Sequence, residues 1–308
     1  MIKKISIIAP AHNEAGNITE FVSRAIKAMN GLQFNSELIL IDDGSTDSTL
    51  VEMKESSISD NRIKVLKHLR RFGLSEALNT GFHESLGDVI IFLCTDLSSD
   101  PVEDVPKLIS GILEGHDMVC GRRSERRELK LFVSLIYNWF GRKLFHLKIH
   151  DQNWIKAFRR NIVENLRLKP GWHRFLSAIA SELGYDIAEV ETNYYPRRHG
   201  RSKYGIIRIL IGAADLISIK IQFSLMEKPF LIFGTLGILL FTSGCILGGA
   251  LSIADFFFGA NLSDVMVLVI LDVLLLIVGI GFFNVGLLAE YIIGSSVIPK
   301  PTFKKINR

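Results

Sequence analysis

The sequence predicts an α/β domain built on a mostly parallel sheet, followed by an interfacial helix and two transmembrane helices. Three observations predict it. Short apolar runs alternate with amphipathic stretches through residues 5 to 100, as in strand–helix–strand units. Three of those runs close on polar, carboxylate-bearing turns. Two long runs almost free of charge lie near the C-terminus, so the apolar excess of the 308 residues is uneven; hydrophobic residues make up 48% and mean hydropathy is +0.28.

Ser6 to Ala9, Leu38 to Ile41, Ile63 to Leu66 and Val89 to Leu93 read as buried strands. Between the first two, Ile18, Phe21, Val22, Ala25, Ile26 and Met29 recur at helical spacing, with Asn17 expected as N-cap and Glu20 as its N3 partner. A later helix is expected to open at Asp100-Pro101, a capping residue followed by proline at the first helical position. From Arg122 to about Tyr204 the chain is richer in charge and aromatics and less periodic, and reads as an appended half of the same domain. From Ile206 to Leu225 apolar residues dominate around a polar stripe of Arg208, Gly212, Asp215, Ser218 and Gln222, the pattern of a helix lying in the membrane interface. Phe230 to Ala254 carries no charge and Val265 to Ala289 carries one, Asp272. Each run exceeds the roughly 20 residues that cross a hydrocarbon core. The loop Asp255 to Asp264 has no Lys or Arg, whereas the tail carries Lys300, Lys304, Lys305 and Arg308. The positive-inside bias then places head and tail together on the cytosolic side of a cell (inner) membrane. The expected organisation is a head over residues 1–205, an interface helix over 206–228, a two-span hairpin over 229–294 and a basic tail over 295–308.

A net charge of +4 is too small to suggest a nucleic-acid partner, although basic residues concentrate between Arg122 and Lys203. Three cysteines show no zinc or disulfide spacing, which fits a reducing compartment. Met1-Ile2-Lys3-Lys4 leads directly into a short strand, so no signal peptide is expected. His12, His68, His83, His116 and His146 lack ligand spacing and read as surface or packing residues. Asp272 lies about seven residues into a span, where a carboxylate is costly and usually faces protein; two places stand open for it, pairing across an oligomer interface or lying near the outer surface.

The first strand ends in Pro10-Ala11-His12-Asn13-Glu14, the second in Asp42-Asp43-Gly44-Ser45, and the fourth in Cys94-Thr95-Asp96-Leu97-Ser98. Ligands bind at this C-terminal edge in open α/β sheets. Asp42 or Asp43 is suited to accept from a base N–H or a ribose hydroxyl, and Gly44 lets the turn come close. Asp96 suits an oxygen-ligated Mg²⁺ or Mn²⁺ that neutralises a diphosphate. Any one such turn is equally a helix cap; three in order on one edge point to a site.

With Pro10 to Ile18, Asp42 to Thr49, Arg71 to Gly81, Asp96 to Leu108, Val119 to Arg123, Asp151 to Arg160 and Arg197 to Tyr204 in view, the chain resembles glycosyltransferase family 2. It is most similar to the branch of polyprenyl-phosphate and dolichyl-phosphate sugar synthases, over nearly its whole length. The resemblance implies a Rossmann-like, nucleotide-sugar-binding glycosyltransferase A-type fold, Mg²⁺ or Mn²⁺ as cofactor, inversion at the sugar carbon, a UDP- or GDP-sugar donor and a polyprenyl phosphate acceptor. It implies nucleotide contacts at Pro10, Ala11, Glu14, Asp42, Asp43 and Thr95. Metal contacts fall at Asp96 and Ser98, and phosphate contacts at Arg123, Lys130, Ser134, Arg197, Ser202 and Lys203. Asp96, Asp151, Arg197 and Lys203 would serve catalysis. Two departures stand out: Cys94 replaces the first of two usual carboxylates, and Lys130 stands where relatives tend to have arginine, keeping charge but losing a bidentate fork.

Dense positive charge in Arg122 to Lys130 and Arg197 to Lys203 suits a lipid phosphate or anionic head groups. A phosphate monoester has a second pKa near 6 and is already nucleophilic at neutral pH, so positioning and leaving-group stabilisation matter more than a general base. Membrane lipids are expected partners, and the Gly-rich spans permit a homo-oligomer. Three other readings stand beside this one: a glycolipid acceptor, a silent scaffold left by Cys94, and a nucleotidyltransferase, which gives no reason for two spans.

Overall fold

The computed structural model describes residues 2–123, 149–151, 154–164, 166, 168–196, 218, 220–221, 228–259 and 265–295. The interface helix proposed over 206–228 and the tail over 295–308 therefore fall almost wholly outside the described residues. The chain divides into two compact units, the first running from Met1 to Leu216 and the second from Ile217 to Pro299.

The first unit runs β1 (Lys4–Ala11), α1 (Ile18–Asn30), β2 (Asn35–Asp42), α2 (Thr49–Ile58), β3 (Ile63–Lys67), α3 (Leu74–Glu84), β4 (Val89–Phe92), α4 (Pro101–Leu113), β5 (Met118–Arg123), β6 (Lys156–Arg159), α5 (Leu176–Glu182) and β7 (Ile187–Thr192). Its sheet has the order β3-β2-β1-β4-β6-β5-β7. β1 pairs in parallel with both β2 and β4, and β2 with β3. β6 is antiparallel to β4 and β5, and β7 is parallel to β5. All four strands expected from the sequence form. Three more form that the sequence did not announce: β5, which runs up to Arg123, and β6 and β7 in the weakly periodic stretch beyond it.

Both faces of the central strands are buried. Ile5, Ile7, Leu38, Leu40 and Ile91 join α1 and α4 residues in one core, while Ile8 and Ile41 meet α3 at Gly81, where a Cβ would come within 2.5 Å of the Ile8 side chain. Burial on two faces is why these strands read as continuous apolar runs rather than alternating ones. The chain builds outward from β1 to β3, then returns to place β4 on the other side of β1. That reversal opens a crevice at the C-terminal strand ends.

Two helix starts show how caps are decided. Asp100 is extended (φ −103°, ψ 111°) and accepts from Val102 N, with Pro101 at the first helical position. Asn17 precedes α1 with φ −99° and ψ −27° and makes no capping bond. Its amide donates instead to Glu14 Oε2 (2.8 Å), and Glu20 pairs with Arg24 (2.5 Å), so the expected capping box does not form. A residue already helical in its own backbone does not turn its side chain back over the first amides. In α4, Asp104 is fully buried and its carboxyl is pushed up to about 7 by burial.

The second unit is a hairpin of α6 (Pro229–Phe258) and α7 (Met266–Ser295), two helices long and apolar enough to cross a membrane. Small residues form its seam. A Cβ on Gly237 would lie 2.6 Å from Phe283 N, and one on Gly279 would lie 2.6 Å from Phe241 N. Glycine therefore lets the two backbones touch, the device membrane helices use where solvent gives no hydrophobic drive. At one end Phe230 N donates to Glu290 Oε2 (3.2 Å), placing negative charge at the α6 N-terminus. Asp272 rests against Gly248, where a Cβ would fall 2.9 Å from Oδ2, so its carboxylate faces protein.

Two outcomes follow from this packing. Gly279→Leu should cost the hairpin about 2 kcal/mol or more by overpacking against backbone that has no room to yield, read as a lowered melting temperature in detergent. Asp104 has a folded-state pKa above its ordinary value, so the folded chain holds the extra proton. The associated stability is complete below pH 4 and is lost as pH rises through about 7. The melting temperature of the unsubstituted chain should fall across that window, and Asp104→Asn should flatten the fall.

Candidate nucleotide and phosphate site

Because Ala11 stands beside Asp42 in the β1–β2 register, the loops leaving the two strands begin side by side. They are laced together. Asp43 N donates to Ala11 O (2.8 Å), and the Asp43 carbonyl accepts from His12 Nδ1 (2.9 Å). Asn13, held at φ +56°, accepts from Thr46 N (2.9 Å) and donates from its own N–H to Ser45 Oγ (3.0 Å). A short polar side chain that bonds locally is what tolerates this left-handed backbone. Glu14 N donates to Thr49 Oγ1 (2.8 Å). On the other side, Thr95 Oγ1 donates to Pro10 O (3.2 Å), which ties the exit of β4 to β1.

The two aspartates of the second turn behave differently. Asp43 accepts from Phe72 N (2.8 Å), Gly73 N (2.8 Å) and His68 Nδ1 (2.9 Å). Burial opposes its charge, yet these bonds win and hold the carboxyl below its ordinary value. Asp43 thus clamps the Arg70–Gly73 segment onto the turn. Gly44, at φ +66°, sits beneath that segment, where a Cβ would come within 2.5 Å of Arg71 N. Asp42 is fully buried; Oδ1 accepts from Ser45 N (3.0 Å), and Oδ2 has no hydrogen-bond partner among the described residues. A buried, unpaired carboxylate oxygen carries a desolvation cost that a ligand N–H or hydroxyl would relieve.

At the end of β4, Asp96 is buried, and both the N–H and the hydroxyl of Ser98 donate to its Oδ1. Leu97 between them adopts φ +57°, an uncommon conformation for a branched apolar residue. Such strain is retained where surrounding structure imposes it, often at functional turns. Among the described residues no three His, Cys, Asp or Glu side chains gather into an all-protein metal cage. A single carboxylate beside a hydroxyl nevertheless fits Mg²⁺ or Mn²⁺, which take oxygen ligands and commonly complete their shell with waters and substrate phosphates.

β5 ends in Arg123, whose Nε and Nη2 donate to the two oxygens of Asp151 at 2.6 and 2.9 Å. The guanidinium also lies over the Trp154 ring, 4.6 Å from its centre. The structure therefore brings Arg123 and Asp151 into one bidentate pair. Lys130, Ser134, Arg197, Ser202 and Lys203 lie outside the described residues. Three side chains were not singled out from the sequence for a role here. His68 joins Asp43 to Thr80 (Nε2 to Oγ1, 2.9 Å), whereas its sequence reading was surface or packing. Lys156 is buried at the head of β6, and His173 is bonded to Ser75 Oγ (2.9 Å). Lysine within the apolar run Trp154-Ile155-Lys156-Ala157-Phe158 was the one signal available.

Residues 6–165 match the family described as Glycosyl transferase family 2. The chain is 28% identical over 295 residues to undecaprenyl-phosphate 4-deoxy-4-formamido-L-arabinose transferase of Proteus mirabilis (strain HI4320), covering 94% of this chain and 89% of that protein. It is 29% identical over 298 residues to dodecaprenyl-phosphate galacturonate synthase of Rhizobium johnstonii, covering 94% and 87%. Crystal structures of glucosyl-3-phosphoglycerate synthase from Mycobacterium tuberculosis share the fold. The complex with phosphoglyceric acid superposes with a TM-score of 0.56 at 20% identity, covering 71% of this chain and 79% of that one. The complex with Mn²⁺ and uridine-diphosphate-glucose gives 0.55 at 22%, covering 70% and 77%.

Gly44→Ala should cost about 2 to 3 kcal/mol, since it adds left-handed backbone strain to a backbone clash. Thermal melting should show the loss, and an unchanged melting temperature would mean that the 70–73 segment is not held as described.

Proposed function

We propose that this chain, which belongs to glycosyl transferase family 2, moves a sugar from a UDP- or GDP-sugar to a polyprenyl phosphate at the cytosolic face of the inner membrane. One observation carries the acceptor. Relatives named for undecaprenyl and dodecaprenyl phosphate align with 94% of the chain, a span that takes in the head and the two apolar helices together. A lipid-borne phosphate gives such helices a purpose, because substrate and enzyme then share one membrane.

The geometry of the head supports the donor. Asp42 Oδ2 is suited to accept from a base N–H or a ribose hydroxyl, with Pro10, Ala11, Glu14 and Thr95 around the same strand ends. Asp43 serves the same pocket by holding its wall. Asp96 and Ser98 would hold a Mg²⁺ or Mn²⁺, which when bound supplies charge neutralisation for the diphosphate. Arg123 offers a fork to phosphate oxygens, in exchange for or in addition to its pairing with Asp151. Lys130, Ser134, Arg197, Ser202 and Lys203 are proposed to receive the acceptor and donor phosphates.

The acceptor phosphate oxygen forms a bond to the anomeric carbon as the bond from that carbon to the diphosphate oxygen breaks, and the electron pair leaves with the nucleoside diphosphate. Attack opposite the leaving group inverts the centre. The acceptor needs little deprotonation at neutral pH, so the protein's work is alignment and stabilisation of the departing charge. The basic tail, the uncharged-to-acidic loop between the helices and the basic head favour head and tail on one, cytosolic side. Glycine-lined helices are also compatible with a homo-oligomer.

Membranes containing the chain are incubated with undecaprenyl phosphate, Mg²⁺ or Mn²⁺ and radiolabelled UDP- and GDP-sugars, then extracted into organic solvent. Label should enter the organic phase with one donor, and Asp96→Ala should lower that transfer about 100-fold or more while leaving the melting temperature near that of the unsubstituted protein. No label with any donor, despite measurable nucleotide binding, would overturn the acceptor assignment in favour of a glycolipid acceptor or a silent scaffold.

A further inference from the structure

Lys156 opens β6, opposite Phe92 on β4 and Cys120 on β5. Directly paired residues share a face of the sheet, so its side chain runs among apolar and thiol neighbours, and it is 2% exposed. Lysine is almost never enclosed to this degree. Taking an ammonium out of water costs several kcal/mol, and an apolar residue of similar volume would commonly serve a core as well or better. Burial pushes the Lys156 ammonium below its ordinary pKa, while Asp151 and the thiols of Cys120 and Cys94 favour its charge. A lysine kept buried against that cost, beside strand ends that carry Asp96 and Arg123, points to a functional requirement.

The contacts show through what it acts. Lys156 Nζ donates to Trp154 O at 2.9 Å. The Trp154 ring carries the Arg123 guanidinium, its Nε1 donates to Thr192 Oγ1 (3.1 Å), and Thr192 Oγ1 in turn donates to Arg122 O (3.1 Å). Trp154 is thereby fixed at its carbonyl by Lys156 and at its ring by β7, and it presents one flat face to Arg123. On its other side Lys156 is felt by His173, which burial, with the positive charges of Arg174 and Lys156, pushes down to about 3. A neutral His173 shares a hydrogen bond through Nδ1 with Ser75 Oγ at the start of α3, and its backbone N–H donates to the same oxygen.

We propose that Lys156 is a positioning residue for phosphate recognition: by anchoring the Trp154 carbonyl it sets the platform on which Arg123 is aimed at a diphosphate. This rests on the nucleotide-sugar reading of the site given above. Its assigned role runs through Trp154 and Arg123, and β4 separates β6 from the β1 and β2 ends that would hold the nucleoside half of a donor. The assignment therefore separates the diphosphate from the nucleoside.

Isothermal titration of the detergent-solubilised full chain with UDP, GDP, UMP and GMP tests it, alongside melting temperatures. Lys156→Met should weaken nucleoside diphosphate binding about 10-fold and leave nucleoside monophosphate binding within about 2-fold. Lys156→Gln, which keeps a donor for the Trp154 carbonyl, should restore most of the loss. Arg123→Lys should give a loss of similar size, and adding Lys156→Met to it should cost little more, because both act through one guanidinium. Equal losses of diphosphate and monophosphate, no loss of either, no recovery with glutamine, or additive losses in the double variant would each overturn the assignment. Where the methionine variant does not fold, Lys156→Leu takes its place. It likewise leaves the Trp154 carbonyl without a donor, so the same selective loss is expected, and unchanged diphosphate affinity overturns the proposal. An unsubstituted chain that binds neither UDP nor GDP would instead overturn the function proposed above, a failure visible before any variant is made.

Discussion

Parallel pairing of β1 with both β2 and β4 is the constraint on which the rest of the head depends. Parallel strands send all their C-terminal ends to one edge and require crossover helices on both faces. Here the register sets Ala11 against Asp42 and Ile8 against Phe92. Every loop bearing a polar cluster therefore emerges within a strand spacing or two of the next. The apolar demand of two buried faces and the gathering of polar loops at one edge are consequences of the same hydrogen-bonding pattern.

The edge is then made rigid by side chains that no ligand needs to order. Asp43, His68 and Thr80 form a relay that binds the Arg70–Gly73 segment to the turn after β2. Asn13 binds that turn to the one after β1. With its neighbour so fully engaged, Asp42 keeps one buried oxygen without a partner among the described residues. Preorganisation of this kind is what a binding site gains when it spends stability before the ligand arrives. At the opposite side of the crevice, the Arg123–Asp151 fork and the Trp154 ring hold a guanidinium in one orientation, which suits a group whose value lies in planar, two-point contact.

The hairpin answers a different solvent. Between apolar helices in an apolar medium, association rests on close contact, and Gly237 and Gly279 permit it by removing the side chains that would meet backbone on the facing helix. Asp272 is the exception in the seam, enclosed against Gly248 rather than turned outward. Outside the seam the helix surface is apolar and offers a carboxylate nothing.

Much of this was legible in the residues. Apolar runs identified the first four strands, helical spacing identified α1, Asp100-Pro101 marked the start of α4, and charge-free length marked the two long helices. Each is a local pattern fixed by backbone periodicity or by the residues at one turn. The strands β6 and β7 were not legible, because they take their partners from distant chain and carry charge among their apolar positions. Nor could spacing tell Asp42 from Asp43. They are adjacent and chemically identical, and only the fold turns one toward the 70–73 backbone and leaves the other with an oxygen unpartnered among the described residues. Lys156 is the clearest case: the sequence shows a lysine in an apolar run, but its burial and its bond to the Trp154 carbonyl exist only once β4, β5 and β6 lie side by side. Local chemistry determined what each segment becomes, and long-range pairing decided which side chains meet.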